Sequence, residues 1–394
     1  MAKPVNADRA AFDALVALLD PWRYGDEDTV RHKLAGLAPI DWPLVLAVAA
    51  RHRVTPLLAA RVKAAGLAQD ARLAPPAACL AALDRQALAA QASELGSLAE
   101  LRRLRALFDR EQIPFLVFKG LTLSWLCFGR LGVRINRDID ILVAPEAMLQ
   151  GHAALVAAGY CRVEPEGELA PEAVALSLER TKDWVYVKPG TASIVELHHR
   201  LFDNVHLCDP EVAARARRLT LFDQVEVATL AAEDEIAYLA LHGAMHAWSR
   251  LKWLLDVAIL IRDTPPADLD ALLRRNRGGP AAGALHQAIA LCWRLFTPPT
   301  AEPRTGRPWR APLLTAAAMH TIAGHGAREI EDTGFGTTLK NLSHYLLWLR
   351  PGYLRAELRF DLTDMSRDDS EVPHGLPVWL YRPASWLLRR LRSS

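Results

Sequence analysis

Long apolar runs are missing from this sequence. Nowhere do about 18 uncharged apolar residues stand in a row, which argues against a membrane-spanning helix. Paired cysteines are missing too: Cys79, Cys127, Cys161, Cys208 and Cys292 stand singly, with no C-x-x-C among them. An odd, scattered set favours reduced thiols over a disulfide framework. Excess charge of one sign is absent, since 47 Lys and Arg face 45 Asp and Glu, so no global field suits wrapping nucleic acid. The opening MAKPVNADRAAFDALVALLD carries charges within its apolar stretch and no small-residue cleavage site, so it does not read as a secretory signal. A cytoplasmic protein is the expectation.

What is present is mostly helix. Apolar residues recur at three- and four-residue spacing in AFDALVALL and in DWPLVLAVAARHRVTPLLAARV, where Asp41 is placed to cap the second helix. After Pro75 and Pro76 a long Ala- and Leu-rich helix runs from about residue 77 to 110. The texture changes at residue 113: IPFLVFK, DIDILV, YCRVE, DWVYVKP and SIVELHH read as strands, interleaved with helices that follow Gly120 and Pro145. A polar excursion lies between 164 and 182. From Ala232 the strongest helical pattern of the chain, EDEIAYLALHGAMHAWSRLKWLLDVAILIRD, reads as one helix. The division expected is a helical region over 1–108, an α/β core over 109–230 and a second helical region over 231–394.

The chemistry centres on DIDILV. Side chains alternate along a strand, so Asp138 and Asp140 share one face while Ile139, Ile141 and Val143 point into the core. Two carboxylates side by side repel unless a cation lies between them, and Mg2+ suits such oxygen ligands where a substrate supplies phosphate oxygens. Upstream, a strand ends at Lys119-Gly120. Glycine allows close backbone approach, and the helix after it offers free amides to a phosphate. A third acid, Glu196, lies on IVELHH with Ile194 and His198 on its own face. Three carboxylates beside such a turn are what two-metal phosphoryl transfer requires.

The set K-G-x-x-L, a loop arginine, R-D-I-D-I-L-V, V-E-L-H-H and L-H-G-A-M-H-A-W-S-R-L-K-W-L-L-D, with D-W-P-L-V-L-A-V-A-A-R-H-R-V-T-P-L-L before it, resembles the uncharacterised nucleotidyltransferase family of the DNA polymerase β-like superfamily. The similarity covers roughly residues 10–260. It implies an α+β fold, with a polymerase β-like core of a small mixed sheet and helices between helical flanks. It implies a nucleotidyltransferase moving a nucleoside monophosphate from an NTP, ATP foremost, to an acceptor with release of pyrophosphate. Asp138 and Asp140 would bind Mg2+, or Mn2+ in its place. Glu196 would be the third carboxylate, serving the metal that activates the acceptor hydroxyl. Gly120 would form the phosphate turn, with Lys119 and Arg134 as phosphate contacts. The wider superfamily carries Gly-Ser or Gly-Gly at this turn and a shorter gap to the aspartates. Here Gly120-Leu121 departs from it, and Lys119 is the residue expected to compensate.

On the helix near 236–262, His242, His246, Ser249, Trp253 and Asp256 fall within one arc. In the related superfamily a helix after the core closes over the nucleotide, so Lys252 is a further phosphate candidate. The plainer alternative is an i,i+4 surface pair with Asp256. His242 and His246 are spaced like helical zinc ligands, but the glutamate of H-E-x-x-H is missing. A histidine–metal hydrolase is therefore a minor alternative, beside a catalytically silent nucleotide- or partner-binding module of the same fold. The C-terminal PVWLYRPASWLLRRLRSS mixes Trp379, Tyr381, Trp386 and Leu387 with Arg382, Arg389, Arg390 and Arg392. It either packs on its own domain or meets an anionic membrane surface. GFG at 334–336 lacks the rest of a dinucleotide fingerprint. The acceptor, be it small molecule, peptide, protein or RNA, has no signature in the sequence.

Overall fold

A computed structural model of the protein describes residues 5–167, 170–329 and 342–363. GFG at 334–336 and the basic–aromatic segment 377–394 lie outside the described residues.

The chain opens with α1 (Val5–Leu19), α2 (Glu27–Leu37), α3 (Trp42–Arg51) and α4 (Thr55–Ala64). Asp41 caps α3 as its position predicts, its Oδ1 accepting from the Leu44 N–H at 3.0 Å. The long helix α5 (Ala77–Arg110) follows the two prolines. The core then builds β1 (Phe115–Phe118), α6 (Gly120–Phe128), β2 (Asp138–Val143), α7 (Met148–Ala157), β3 (Cys161–Glu164), α8 (Pro171–Arg180), β4 (Asp183–Val187) and β5 (Ile194–His198). A hairpin of β6 (Arg217–Leu221) and β7 (Val225–Thr229) leads into α9 (Ala232–Met245), α10 (Leu251–Asp263), α11 (Pro266–Arg275), α12 (Ala281–Leu295) and α13 (Ala311–Ala323). The last described helix is α14 (Pro351–Thr363).

The five-stranded sheet has the order β1-β2-β5-β4-β3. The β2–β5 pair is parallel and the other pairs are antiparallel. Strand alternation divides its faces. Val117, Ile139, Ile141, Val143, Val195 and Leu197 pack into one core with Leu104 and Phe108 of α5. The opposite face carries Phe118, Asp140, Glu196 and His198 towards α9, where Tyr238 meets the Phe118 ring edge-on at 5.4 Å. A second core joins both helical flanks, with Phe12, Leu15 and Leu58 in the same cluster as Leu254, Ile259 and Leu285. No single helix among the described residues is long and apolar enough to cross a membrane.

The structure corrects the sequence reading in three places. The polar excursion contains α8. The β6–β7 hairpin went unseen because Phe222 and Asp223 hold its positive-φ turn (49° and 53°) without glycine. The single helix expected over 236–262 is two, broken where Ala247 and Trp248 take φ of 48° and 54°. The Trp248 N–H donates to Gly243 O at 2.7 Å and its fully buried ring folds back over Gly243, where a Cβ would lie 2.4 Å from the indole. The apolar pattern runs on unbroken through this turn, so periodicity alone could not reveal it.

Candidate active site

Register brings the acids together. On the parallel pair Asp140 lies directly opposite Glu196, and on the β1 side Asp140 is opposite Phe118. Lys119 follows Phe118 with φ 55° and ψ −142°, a conformation that costs a residue with a side chain about 1–3 kcal/mol. The strain sets its ammonium 2.8 Å from Asp140 Oδ1. Gly120, at φ 36°, starts α6 close against β2, and a Cβ there would stand 3.3 Å from the Asp138 carbonyl oxygen.

His198 completes the cluster. Its Nε2 lies 3.2 Å from Asp140 Oδ1, 3.2 Å from Glu196 Oε2 and 3.4 Å from Asp183 Oδ2. Burial opposes the imidazolium, but Asp183, Asp140 and Glu196 outweigh it and raise the His198 pKa. Burial likewise opposes the Asp140 charge, yet Lys119 and His198 hold that carboxyl far below the usual range. Glu196 is pushed up, by burial and by the charge of Asp140. Lys182, on the strand's approach, pairs with Asp183.

This donor set fits a divalent cation. One ligand atom each from Asp140, Glu196 and His198 lies within 4.8 Å of the others. Asp140 Oδ2 is buried without a hydrogen-bond partner among the described residues, which a buried carboxylate oxygen seldom tolerates. Asp138 shares the face of Asp140 but stands at the strand's mouth, half-buried on the cavity wall, outside that tight group. The expected trio of acids is thus two acids and a histidine at the centre, with Asp138 beside them. His242 and His246 belong to no such group among the described residues. They pack with Trp253, centroids 5.5 and 4.8 Å from its ring, bridging the α9–α10 break. His199 points away, its Nε2 2.8 Å from Thr181 O.

The other cations are placed unequally. Arg134 is buried and bidentate on Asp256 (3.0 and 2.9 Å), so Asp256 is the partner of Arg134 and forms no surface pair with Lys252. Lys252 donates to Ile135 O, and burial, together with Arg134, pushes its pKa down to about 7. The loop carrying these contacts is tied to α5 by Glu94, which accepts from Ser124, Asn136 and the Gly132 N–H. A cavity of about 780 Å³ opens over the cluster, and Lys119, Gly120, Arg134 and Lys252 all reach it. Arg53 and Arg137 reach it as well, and sequence reasoning had singled out neither. Arg53 lies within the D-W-P-L-V-L-A-V-A-A-R-H-R-V-T-P-L-L segment and Arg137 opens R-D-I-D-I-L-V, yet neither residue type nor spacing assigned them a role. His198 did carry a signal, since alternation in VELHH puts it on the face of Glu196.

A small mixed sheet with neighbouring strands presenting Asp140 and Glu196, beside a strand–glycine–helix turn, defines a nucleotidyltransferase-type core. The chain belongs to the family described as uncharacterised nucleotidyltransferase, whose model matches residues 38–297. None of the curated proteins compared with the chain matches it.

Proposed function

We propose that the protein moves a nucleoside monophosphate from a nucleoside triphosphate, with ATP as the donor, to the hydroxyl of an acceptor, releasing pyrophosphate. The observation that carries this reading is the Asp140–Glu196 register, with an unpartnered Asp140 oxygen at its centre. Asp140, Glu196 and His198 would hold a divalent cation, with Asp138 available to the ion or to its second neighbour. Bound there, Mg2+ would neutralise phosphate charge and lower the acceptor's pKa. The carboxylate donors also suit Mn2+.

The chain's own groups set the rest of the geometry. The first amides of α6, freed of partners at Gly120, face phosphate oxygens. Lys119 balances Asp140 before substrate arrives and reaches a phosphate afterwards. Lys252 and Arg134 line the same wall. Glu196 orients the acceptor hydroxyl and accepts its proton, while the oxygen forms the new bond to the α-phosphorus as the bond to pyrophosphate breaks.

Full-length protein incubated with Mg2+ and ATP labelled at either the α- or the γ-phosphate, with and without cell extract, tests this. The α-label should pass to an acceptor while the γ-label leaves as pyrophosphate. Transfer of the γ-label instead would reject the reading. Magnesium-dependent ATP binding without release of pyrophosphate would identify a nucleotide-binding module.

A further inference from the structure

Resting on that reading, we propose that Arg53 and Arg137 hold the β- and γ-phosphates of the nucleoside triphosphate, so that the N-terminal helical region supplies part of the donor site. Both side chains line the cavity with Asp138, Arg250 and Lys252. Among the described residues neither has a carboxylate in an ion pair, whereas Arg134 is paired with Asp256 and Arg250 with Glu329. Burial, Arg250 and Arg137 all act against the Arg53 charge. Glu329 and Asp138 offset part of that, and an anion bound in the cavity would offset more. Polyphosphate beside the Gly120 turn and Asp138 is the anion the site suits.

The backbone supports a role beyond packing. Arg53 follows α3 at φ 56°, with its N–H donating to Ala50 O at 3.0 Å. Helices commonly end on glycine in this left-handed conformation, which disfavours any side chain. An arginine here is costly to the fold and places a guanidinium at the cavity. Its neighbours fix the turn against the α9–α10 break. His52 Nδ1 accepts the Leu251 N–H at 2.9 Å, capping α10, and burial keeps the imidazole neutral for that task. The buried Arg51 guanidinium donates to the carbonyls of Thr321 at 2.7 Å and Ile322 at 3.3 Å. Arg250 returns a hydrogen bond to Arg51 O and pairs with Glu329. Three consecutive residues therefore divide the work, two anchoring the turn and the third facing the donor.

The test compares ATP, AMP and inorganic tripolyphosphate binding to the full-length protein and to R53Q, R53G and R137Q. Each variant should lose about tenfold or more in affinity for ATP and tripolyphosphate, the worth of a charge-assisted contact, while AMP affinity holds. R53G should be at least as heat-stable as the wild type, because glycine relieves the strained turn. Equal losses for AMP and ATP, or undiminished tripolyphosphate affinity, would overturn the proposal. Label transfer by the wild type with full ATP affinity retained in R53Q would overturn it while leaving the enzymatic reading intact. Tripolyphosphate binding lost in R53Q, in a wild type that transfers no label, would count against the enzymatic reading alone.

Discussion

The Lys119 ammonium lies 2.8 Å from Asp140 Oδ1, while Oδ2 of the same carboxylate meets no partner among the described residues. One oxygen of the carboxylate is thus compensated by the protein and the other is not. Lys119 keeps a pKa well above the ordinary lysine value because Asp140, with Tyr238 and Glu196, overcomes the penalty of burial. The pair holds the site together before any substrate arrives.

Asp140→Asn should therefore cost stability as well as activity. It removes the nearest anion from the buried Lys119 ammonium and leaves Glu196 to compensate only part of its charge, and breaking such a pair costs about 3 kcal/mol or more. Urea denaturation should show this loss for Asp140→Asn and much less for Asp138→Asn, whose carboxylate lies at the cavity mouth. Equal unfolding midpoints for the two variants would contradict the pairing.

If Lys252 meets the phosphates as proposed, nucleotide binding should be proton-linked. Its folded pKa of about 7 lies below the ordinary 10.5, so at pH 8 the amine is mostly neutral in the folded protein and charged in the unfolded chain. The group's penalty on stability is full below 7 and fades as pH rises to 10.5. Phosphate beside it restores the charged form, so ATP binding at pH 8 should draw a proton from solution. Calorimetry in buffers of different ionisation enthalpy should reveal that uptake, and Lys252→Met should remove it. Identical uptake in the variant would place Lys252 away from the phosphates.

Glu235 sets an opposite slope. Burial pushes its pKa up to about 7, and Arg217, at 3.1 Å, offsets only part of that. The folded form favours the protonated acid, so this stability is present below 4.5 and lost as pH rises through 7. At about 1.4 kcal/mol per tenfold change in proton affinity, the loss approaches about 3 kcal/mol. The pH dependence of the unfolding free energy across that window should flatten in Glu235→Gln. An unaltered slope would assign it to other groups.

Gly243 tests the helix break. A methyl group there would stand 2.4 Å from the fully buried Trp248 ring. Gly243→Ala should destabilise the protein by about 1–3 kcal/mol and weaken ATP binding, since Lys252 and Trp253 begin the helix that this turn aims. A wild-type unfolding midpoint would mean that the ring can move aside.

Much of this arrangement was legible in the sequence because strands obey a two-residue alternation. DIDILV and VELHH alone put Asp140, Glu196 and His198 on a polar face with Ile139, Ile141 and Leu197 behind them, as the sheet places them. Asp41 and the long α5 were equally plain, since caps and periodicity are local. The α9–α10 break was hidden because its positive-φ residues are Ala247 and Trp248, whose types carry no turn signal. Partnerships across the chain were hidden for a different reason. Arg134–Asp256, Glu94 with Asn136, and Arg53 at the cavity depend on tertiary packing between segments far apart in sequence, and no spacing rule encodes them.

A divalent cation held by acids from β2 and β5 is the centre of the proposed function. The most direct measurement is Mn2+ binding, followed by electron paramagnetic resonance with ATP present, in the wild type, Asp138→Asn and Glu196→Gln. The wild type should hold Mn2+ tightly, both variants should bind it at least about tenfold more weakly, and the wild-type signal should carry a nitrogen coupling from His198. Wild-type Mn2+ affinity in both variants, with no nitrogen coupling, would contradict it.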